Sequence, residues 1–172
     1  MEFLTFQTAT AQDLPALVAL VNNAYRGSEA RHGWTHEADL IDGSIRTNEA
    51  ELTELLSNPD AMLLAARAGT DIVGCVYLEK NGSELYLGML SVNPRQQAGG
   101  IGRKLLLASE EHARRIGCRA VVMTVISVRA ELIDWYKRNG YEPTGETEPF
   151  PEGKHFGIPR QSLEFIVMRK SV

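Results

Sequence analysis

Gln97-Ala98-Gly99-Gly100-Ile101-Gly102-Arg103-Lys104 stands between an apolar run that ends near Val92 and a helical pattern that begins near Gly100. A strand that feeds a glycine-rich turn into a helix start presents free backbone N–H groups and the positive end of the helix dipole. That arrangement binds anions, phosphates above all. Glycines let the backbone approach the anion closely and take positive φ angles, and Arg103 and Lys104 add charge on the solvent side. Two other phosphate loops fail on residues that their chemistry needs. A Walker loop ends in Gly-Lys-Ser/Thr, whereas Gly102 is followed by Arg103-Lys104-Leu105. A dinucleotide fingerprint needs a third glycine where Leu105 stands and a later acid where Val121 and Val122 stand. Taken alone, the same glycines would also suit a turn that merely starts a helix.

The helix after the loop has the clearest period in the chain. At about 100° per residue, Ile101, Leu105, Leu106, Ala108, Ser109, His112, Ala113 and Ile116 share one face. Arg103, Lys104, Glu110, Glu111, Arg114 and Arg115 cover the other, with Leu107 out of place and Gly117 as the stop. Upstream, Ala61 to Ala68, Ile72 to Lys80 and Glu84 to Val92 are separated by Gly69-Thr70-Asp71 and Asn81-Gly82, which predicts an antiparallel meander. Phe3 to Thr8 alternates as a strand, and Thr10 with Asp13 opens a helix to about Tyr25. Asn48 with Glu51 opens a short helix that ends at Asn58-Pro59. Residues 27 to 46 between these helices have no clean period, and loops of that length are usually functional or mobile. Downstream come a buried strand from Arg119 to Ile126, a helix from Val128 to Asn139 before Gly140, and a last strand from Gln161 to Arg169. The order predicts an α/β fold with a mixed central sheet of six to seven strands and helices on both faces.

At 172 residues the chain suits a single domain spanning 1–172. Its net charge of −4, from 18 basic and 22 acidic residues without a basic run, argues against a nucleic-acid partner. No apolar run approaches a membrane span, and Met1-Glu2-Phe3-Leu4 lacks the basic-then-apolar order of a secretory leader, so a cytoplasmic location is expected. Cys75 and Cys118 are expected as buried small hydrophobes in a reducing compartment. Of the histidines His32, His36, His112 and His155, only His32 and His36 have a suggestive spacing, and Gly33 lies inside it, so no metal is expected. A homodimer is compatible with all of this.

Gln97-Ala98-Gly99-Gly100-Ile101-Gly102 resembles the Gln/Arg-x-x-Gly-x-Gly signature of the GNAT acetyltransferase superfamily. Leu90-Ser91-Val92-Asn93-Pro94 is similar to that family's strand before the loop, and Trp135-Tyr136-Lys137-Arg138-Asn139-Gly140-Tyr141 to its Tyr-x-x-x-Gly-Phe/Tyr helix end. The resemblance implies the GNAT fold and an acetyl-CoA-dependent N-acetyltransferase acting on a primary amine of a small molecule or peptide. Backbone amides from Gln97 through Ala98, Gly99, Gly100 and Ile101 to Gly102 would hold the pyrophosphate, with Arg103 and Lys104 beside it. The strand ending near Val92 would splay from its neighbour, and the N–H of Leu90 or Val92 would bind the thioester carbonyl. A non-catalytic acyl-CoA-binding sensor module is the other class that fits the same loop.

Direct attack by an amine sets two proton tasks: the ammonium must lose a proton, and the departing thiolate benefits from gaining one. Tyr136 matches the family's general-acid tyrosine, although a helix tyrosine can also serve packing alone. The base is open. Histone-type members carry a glutamate where Tyr86 stands here, which leaves Glu84 on the same strand face, Glu37 in the long loop, or no dedicated base. Trp34, with Glu37, Asp39 and Asp42 near it, could shape a pocket for a cationic amine. Arg129 replaces an asparagine that many members direct at the pantetheine arm, and would suit a phosphate.

Overall fold

Along the chain run β1 (Leu4–Thr8), α1 (Leu14–Tyr25), the single turn α2 (Gly27–Ala30), β2 (Ile41–Asp42), α3 (Glu49–Leu56), β3 (Ala61–Ala68), β4 (Asp71–Asn81) and β5 (Glu84–Val92). There follow α4 (Ile101–Arg115), β6 (Ala120–Ile126), α5 (Ala130–Arg138), β7 (Glu142–Pro149), β8 (Ile158–Pro159) and β9 (Glu164–Ser171). This is a computed structural model, and it describes residues 3–151 and 157–172, apart from the side chains of Ser28 and Ala98. Seven strands form one sheet in the order β1-β3-β4-β5-β6-β9-β7. The β5–β6 contact is parallel, and every other pairing in the sheet is antiparallel. The crossover helix α4 supplies the connection that a parallel pair requires.

Local chemistry sets the helix ends. The Asp13 carboxylate accepts from the Thr10 backbone N–H at 2.8 Å, and a short 3₁₀ turn over Ala11–Asp13 precedes α1. Asn48 accepts from the Glu51 N–H at 2.8 Å to start α3. One face of the sheet packs Leu17, Val21 and Leu52, from α1 and α3, on Ala65, Cys75 and Tyr77. The other face packs Leu105, Leu106 and Ala113 of α4, with Tyr136 of α5, on Val76, Leu78, Leu85 and Leu87. Helices therefore cover both faces, as the element order predicts.

Three local features depart from the sequence reading. The segment from 27 to 46 contains a helical turn and β2, which pairs with β8 in a separate two-stranded sheet. Two residues are too few to show a period, and their partner lies more than a hundred residues away. On α4, Leu107 is exposed as its misfit position implies, but Glu110 is buried despite its place on the charged side. Its carboxylate accepts from the Tyr141 hydroxyl at 3.0 Å and from Lys170 at 2.9 Å, partners contributed by the segment after α5 and by β9.

The third feature lies in β5. Cys75 faces Ser91 and Tyr77 faces Gly88, so β5 holds one residue more than β4 between these pairs. Met89 takes up the difference with φ 49°, a left-handed value uncommon for a side chain of its size. The bulge reverses the strand's alternation. Leu85 and Leu87 face the α4 side before it, Met89 joins Tyr86 on the α1 side, and Leu90 and Val92 return to the α4 side.

Glu110→Ala should lower the unfolding free energy by about 2–3 kcal/mol, because it strips a charged acceptor from both Tyr141 and Lys170. Glu111→Ala, one residue on at the surface, should change it by less than about 0.5 kcal/mol. Chemical denaturation of the two variants measures the difference.

Candidate active site

The parallel pair is short. β5 and β6 register only at Glu84–Ala120, Leu85–Val121 and Tyr86–Val122. Beyond Tyr86 the strands part, and Met89 and Leu90 have no register partner on β4 or β6. The gap holds two adjoining cavities of about 110 and 310 Å³, which share Tyr25, Leu90, Arg129, Leu132 and Tyr136 as walls. The smaller runs to the glycine loop and includes Val92, Gln97, Gly100, Gly102 and Arg103. The larger lies between the separated strands and reaches Glu37, Arg46, Phe150 and Phe165.

The loop itself is a 3₁₀ turn over Pro94–Gly99 followed by Gly100 at φ 74°, ψ 14°, and then α4. That left-handed conformation favours glycine. A Cβ on Gly99 or Gly100 would meet nothing within 4 Å, so this backbone faces open space. No side chain caps α4 and no acid lies in its first turn, which leaves the helix N-terminus available to an anion. Gln97 braces the strand end: its amide donates to the Val92 carbonyl at 3.2 Å and accepts from the Trp34 N–H at 2.9 Å. Gly33 lies so close to this amide that any side chain there would overlap it.

Trp34 is 47% exposed, and its ring centroid lies 6.0 Å from that of Trp135. Both line the smaller cavity, which puts Trp34 beside the glycine loop. Glu37 lines the larger one, but it is buried between two arginines. One of its oxygens accepts from Arg26 at 3.2 Å and the other from Arg129 at 3.4 Å. Arg129 also donates to the Thr35 hydroxyl at 2.6 Å. Its guanidinium is thus committed to the loop rather than offered to a phosphate, contrary to the sequence expectation.

Glu84 is not brought to the cavities. It stands at the far end of β5 from Val92 and pairs with Arg169 at 2.8 Å on the surface. Asp39 pairs with Arg31 and Asp42 with Arg160, both at 2.6 Å and both exposed, so neither joins Glu37 in an acidic pocket. His36 accepts from the Ala38 N–H at 3.1 Å, and His32 lies 3.2 Å from the Arg95 guanidinium. Among the described residues no group of three or more His, Cys, Asp or Glu is placed to hold a metal. His155 lies outside the described residues. Cys75 and Cys118 are free and buried, and burial pushes the Cys75 thiol up to about 12. Among the described residues no helix is long and apolar enough to cross a membrane.

Tyr136 stands where the two cavities meet, 5% exposed, its ring edge-on to Trp135 and Tyr141. Its hydroxyl has no hydrogen-bond partner among the described residues, and burial raises its pKa well above the ordinary phenol value. Tyr25, which the sequence does not mark, also lines both cavities. Its hydroxyl donates to the Leu90 carbonyl at 3.1 Å, and burial pushes its pKa up to about 12. A tyrosine at a helix end carries no signal of such a role, since only the fold brings Tyr25 against the bulge.

Residues 21–141 match the model of the acetyltransferase (GNAT) family. Over 99 residues the chain is 29% identical to an IAA acetyltransferase of Azospirillum brasilense, a match covering 56% of this chain and 65% of that protein. The ribosomal-protein-S18-alanine N-acetyltransferase of Escherichia coli superposes with a TM-score of 0.73 at 15% identity, over 99% of this chain and 94% of that one. An N-acetyltransferase of Thermoplasma acidophilum, solved in complex with coenzyme A, superposes with a TM-score of 0.69 at 18% identity, over 99% of this chain and 99% of that one. These structural likenesses are likenesses of fold.

Four tyrosines, Tyr25, Tyr77, Tyr136 and Tyr141, have pKa values raised chiefly by burial. Unfolded tyrosine ionises near about 10, so the folded state retains protons that the unfolded state has lost above that pH. Folding stability should therefore be insensitive to these groups below about pH 10 and fall above it, each group adding a slope of up to about 1.4 kcal/mol per pH unit. Denaturation series on either side of pH 10, with phenolate absorbance followed in parallel, check the sign.

Proposed function

Because the chain belongs to the GNAT acetyltransferase family, we propose that it transfers the acetyl group of acetyl-CoA directly to a primary amine of a small molecule or peptide. The single observation that carries this reading is the parting of β5 from β6 beside an uncapped helix N-terminus, with Tyr136 between the two cavities. The same reading takes residues 1–172 as one catalytic domain, located in the cytoplasm, with acetyl-CoA as cosubstrate and no metal.

The backbone from Gln97 to Gly102 and the start of α4 would bind the pyrophosphate, with Arg103 and Lys104 at its edge. Met89 and Leu90 lack strand partners, so this stretch of β5 would accept the pantetheine arm as an added strand. The N–H of Leu90 or Val92 would stabilise the oxyanion that forms on the acetyl carbonyl. Trp34 and Trp135 would close over the arm on the loop side.

The neutral amine attacks the carbonyl carbon, the C–S bond breaks, the attacking nitrogen releases a proton to solvent, and the products are an amide and coenzyme A thiol. Tyr136 supplies the proton to the departing sulfur and recovers it from solvent. Its raised pKa keeps the phenol protonated through the neutral range, and the burial responsible also disfavours a bare thiolate in the same cavity. Neither Glu84 nor Glu37 offers a free carboxylate there. Glu84 is remote, and both oxygens of Glu37 are taken by guanidiniums. The ammonium proton would therefore leave through water.

Tyr136→Phe keeps the ring and removes only the donor. Turnover should fall by roughly 10²- to 10⁴-fold while acetyl-CoA affinity stays within about threefold, as measured by steady-state kinetics and calorimetry. A Phe variant with wild-type turnover would remove Tyr136 from the chemistry. Gly102→Glu places a carboxylate at the start of α4, where the added Cβ lies 3.5 Å from the Trp135 ring. Acetyl-CoA binding by this variant should become unmeasurable in calorimetry with thermal unfolding still cooperative. Wild-type affinity in it would contradict the loop's assignment.

A further inference from the structure

The amine side of the gap has a charge opposite to what the acids near Trp34 suggest. Asp39 and Asp42 are spent on surface pairs, and neither lines the larger cavity. The charged groups that do line it are Arg26, Arg46 and Arg129 against Glu37 and Glu148. Glu37 lies between Arg26 and Arg129, and Glu148 is exposed on β7 at the rim. That leaves Arg46.

The Arg46 guanidinium lies 5.5 Å from the centroid of the Tyr25 ring, and its side chain is only 25% exposed. Its one carboxylate neighbour, Glu51, is 3.9 Å away, beyond hydrogen-bond distance, and does not line the cavity. Among the described residues this guanidinium donates no hydrogen bond. Five N–H donors in a planar fork, permanently charged and already positioned by an aromatic face, match a carboxylate's two oxygens. The buried Nε of Arg129, in the same wall, also lacks a hydrogen-bond acceptor. The lining also has an apolar part, with Met123, Val125 and the Phe150–Phe165 ring pair at 5.4 Å.

We propose that the acceptor amine also carries a carboxylate, that it is a free amino acid with an apolar body, and that Arg46 binds its carboxylate. This rests on the acetyl-transfer reading and names the substrate class of that site. The carboxylate would fill the donor fork of Arg46, the apolar body would lie on Phe150 and Phe165, and the amine would face the end of the gap where Tyr136 stands. Arg46 acts in binding alone, so its loss shows in KM rather than in turnover.

The test uses the full chain, acetyl-CoA, and a panel of the common amino acids, each beside its own carboxamide, with thiol release as the readout. The best acid should exceed its amide in kcat/KM by about tenfold or more, the usual weight of hydrogen bonds to a charged group. Arg46→Gln should raise KM for that acid by about tenfold with kcat within about threefold, and leave KM for the amide unchanged. Arg46→Lys should recover part of the loss and, by retaining the charge, separates a binding defect from a folding one, with the thermal midpoint of both variants as control. Amides acetylated as well as acids would overturn the proposal, as would wild-type KM in Arg46→Gln, or acetyl-CoA binding in calorimetry without turnover of any acid. Failure to bind acetyl-CoA at all would overturn the acetyl-transfer reading itself, a result distinct from these.

Discussion

β5 keeps its pairing with β4 to its last residue, across one bulge, while abandoning β6 after three residue pairs, and most of the molecule's working geometry depends on that separation. A strand inside a sheet normally satisfies its backbone on both sides, and unpaired buried amides cost about 1–3 kcal/mol each. Here the unpaired stretch borders a cavity, and side chains take up part of its backbone: the Met89 carbonyl accepts from the Ser91 hydroxyl at 2.9 Å and the Leu90 carbonyl from the Tyr25 hydroxyl at 3.1 Å. The bulge at Met89 adjusts the same strand to this task. It restores contact with β4 beyond the irregularity and returns Leu90 and Val92 to the α4 side. Tyr25 ties α1 to the bulged segment through the Leu90 carbonyl, so the position of the opened strand is held from the helix layer rather than from the sheet.

Charge gives the site its second constraint. Glu37, between Arg26 at the end of α1 and Arg129 at the start of α5, joins three separate segments at one buried point. An ion triad of this kind adds little net stability compared with apolar packing, but losing one member leaves the others buried without compensation. Its value here is positional: the long segment after α1 is held against α5, and Gln97 holds the same segment to the end of β5 through Trp34. Both cavities owe a wall to these two ties.

What the chain's sequence makes legible follows from the range of the interactions involved. The meander, the α4 face and the glycine turn are written in neighbours and short periods, and the bounds of β3 and β5 agree with the sequence reading residue for residue. Glu110, Arg129 and Glu84 are less legible because their surroundings come from remote segments. A helical wheel assigns Glu110 to solvent, since Tyr141 and Lys170 do not appear on it. Strand alternation places Glu84 on a face, but its partner Arg169 comes from β9, 85 residues further along the chain. The acids near Trp34 suggest a negative pocket until their arginine partners are counted, two of which, Arg129 and Arg160, lie far along the chain.

β7 closes one margin of the sheet and is exposed along its whole length, an open row of hydrogen-bonding groups that another extended chain could in principle join. Its composition discourages this. Pro143 and Pro149 remove donors from the row, and Glu142, Glu146 and Glu148 place like charges where a second copy would align its own. The opposite margin, β1, is only five residues long. Both margins of the sheet are thus poor templates for edge-to-edge pairing between copies of this molecule, one by charge and proline and the other by its shortness.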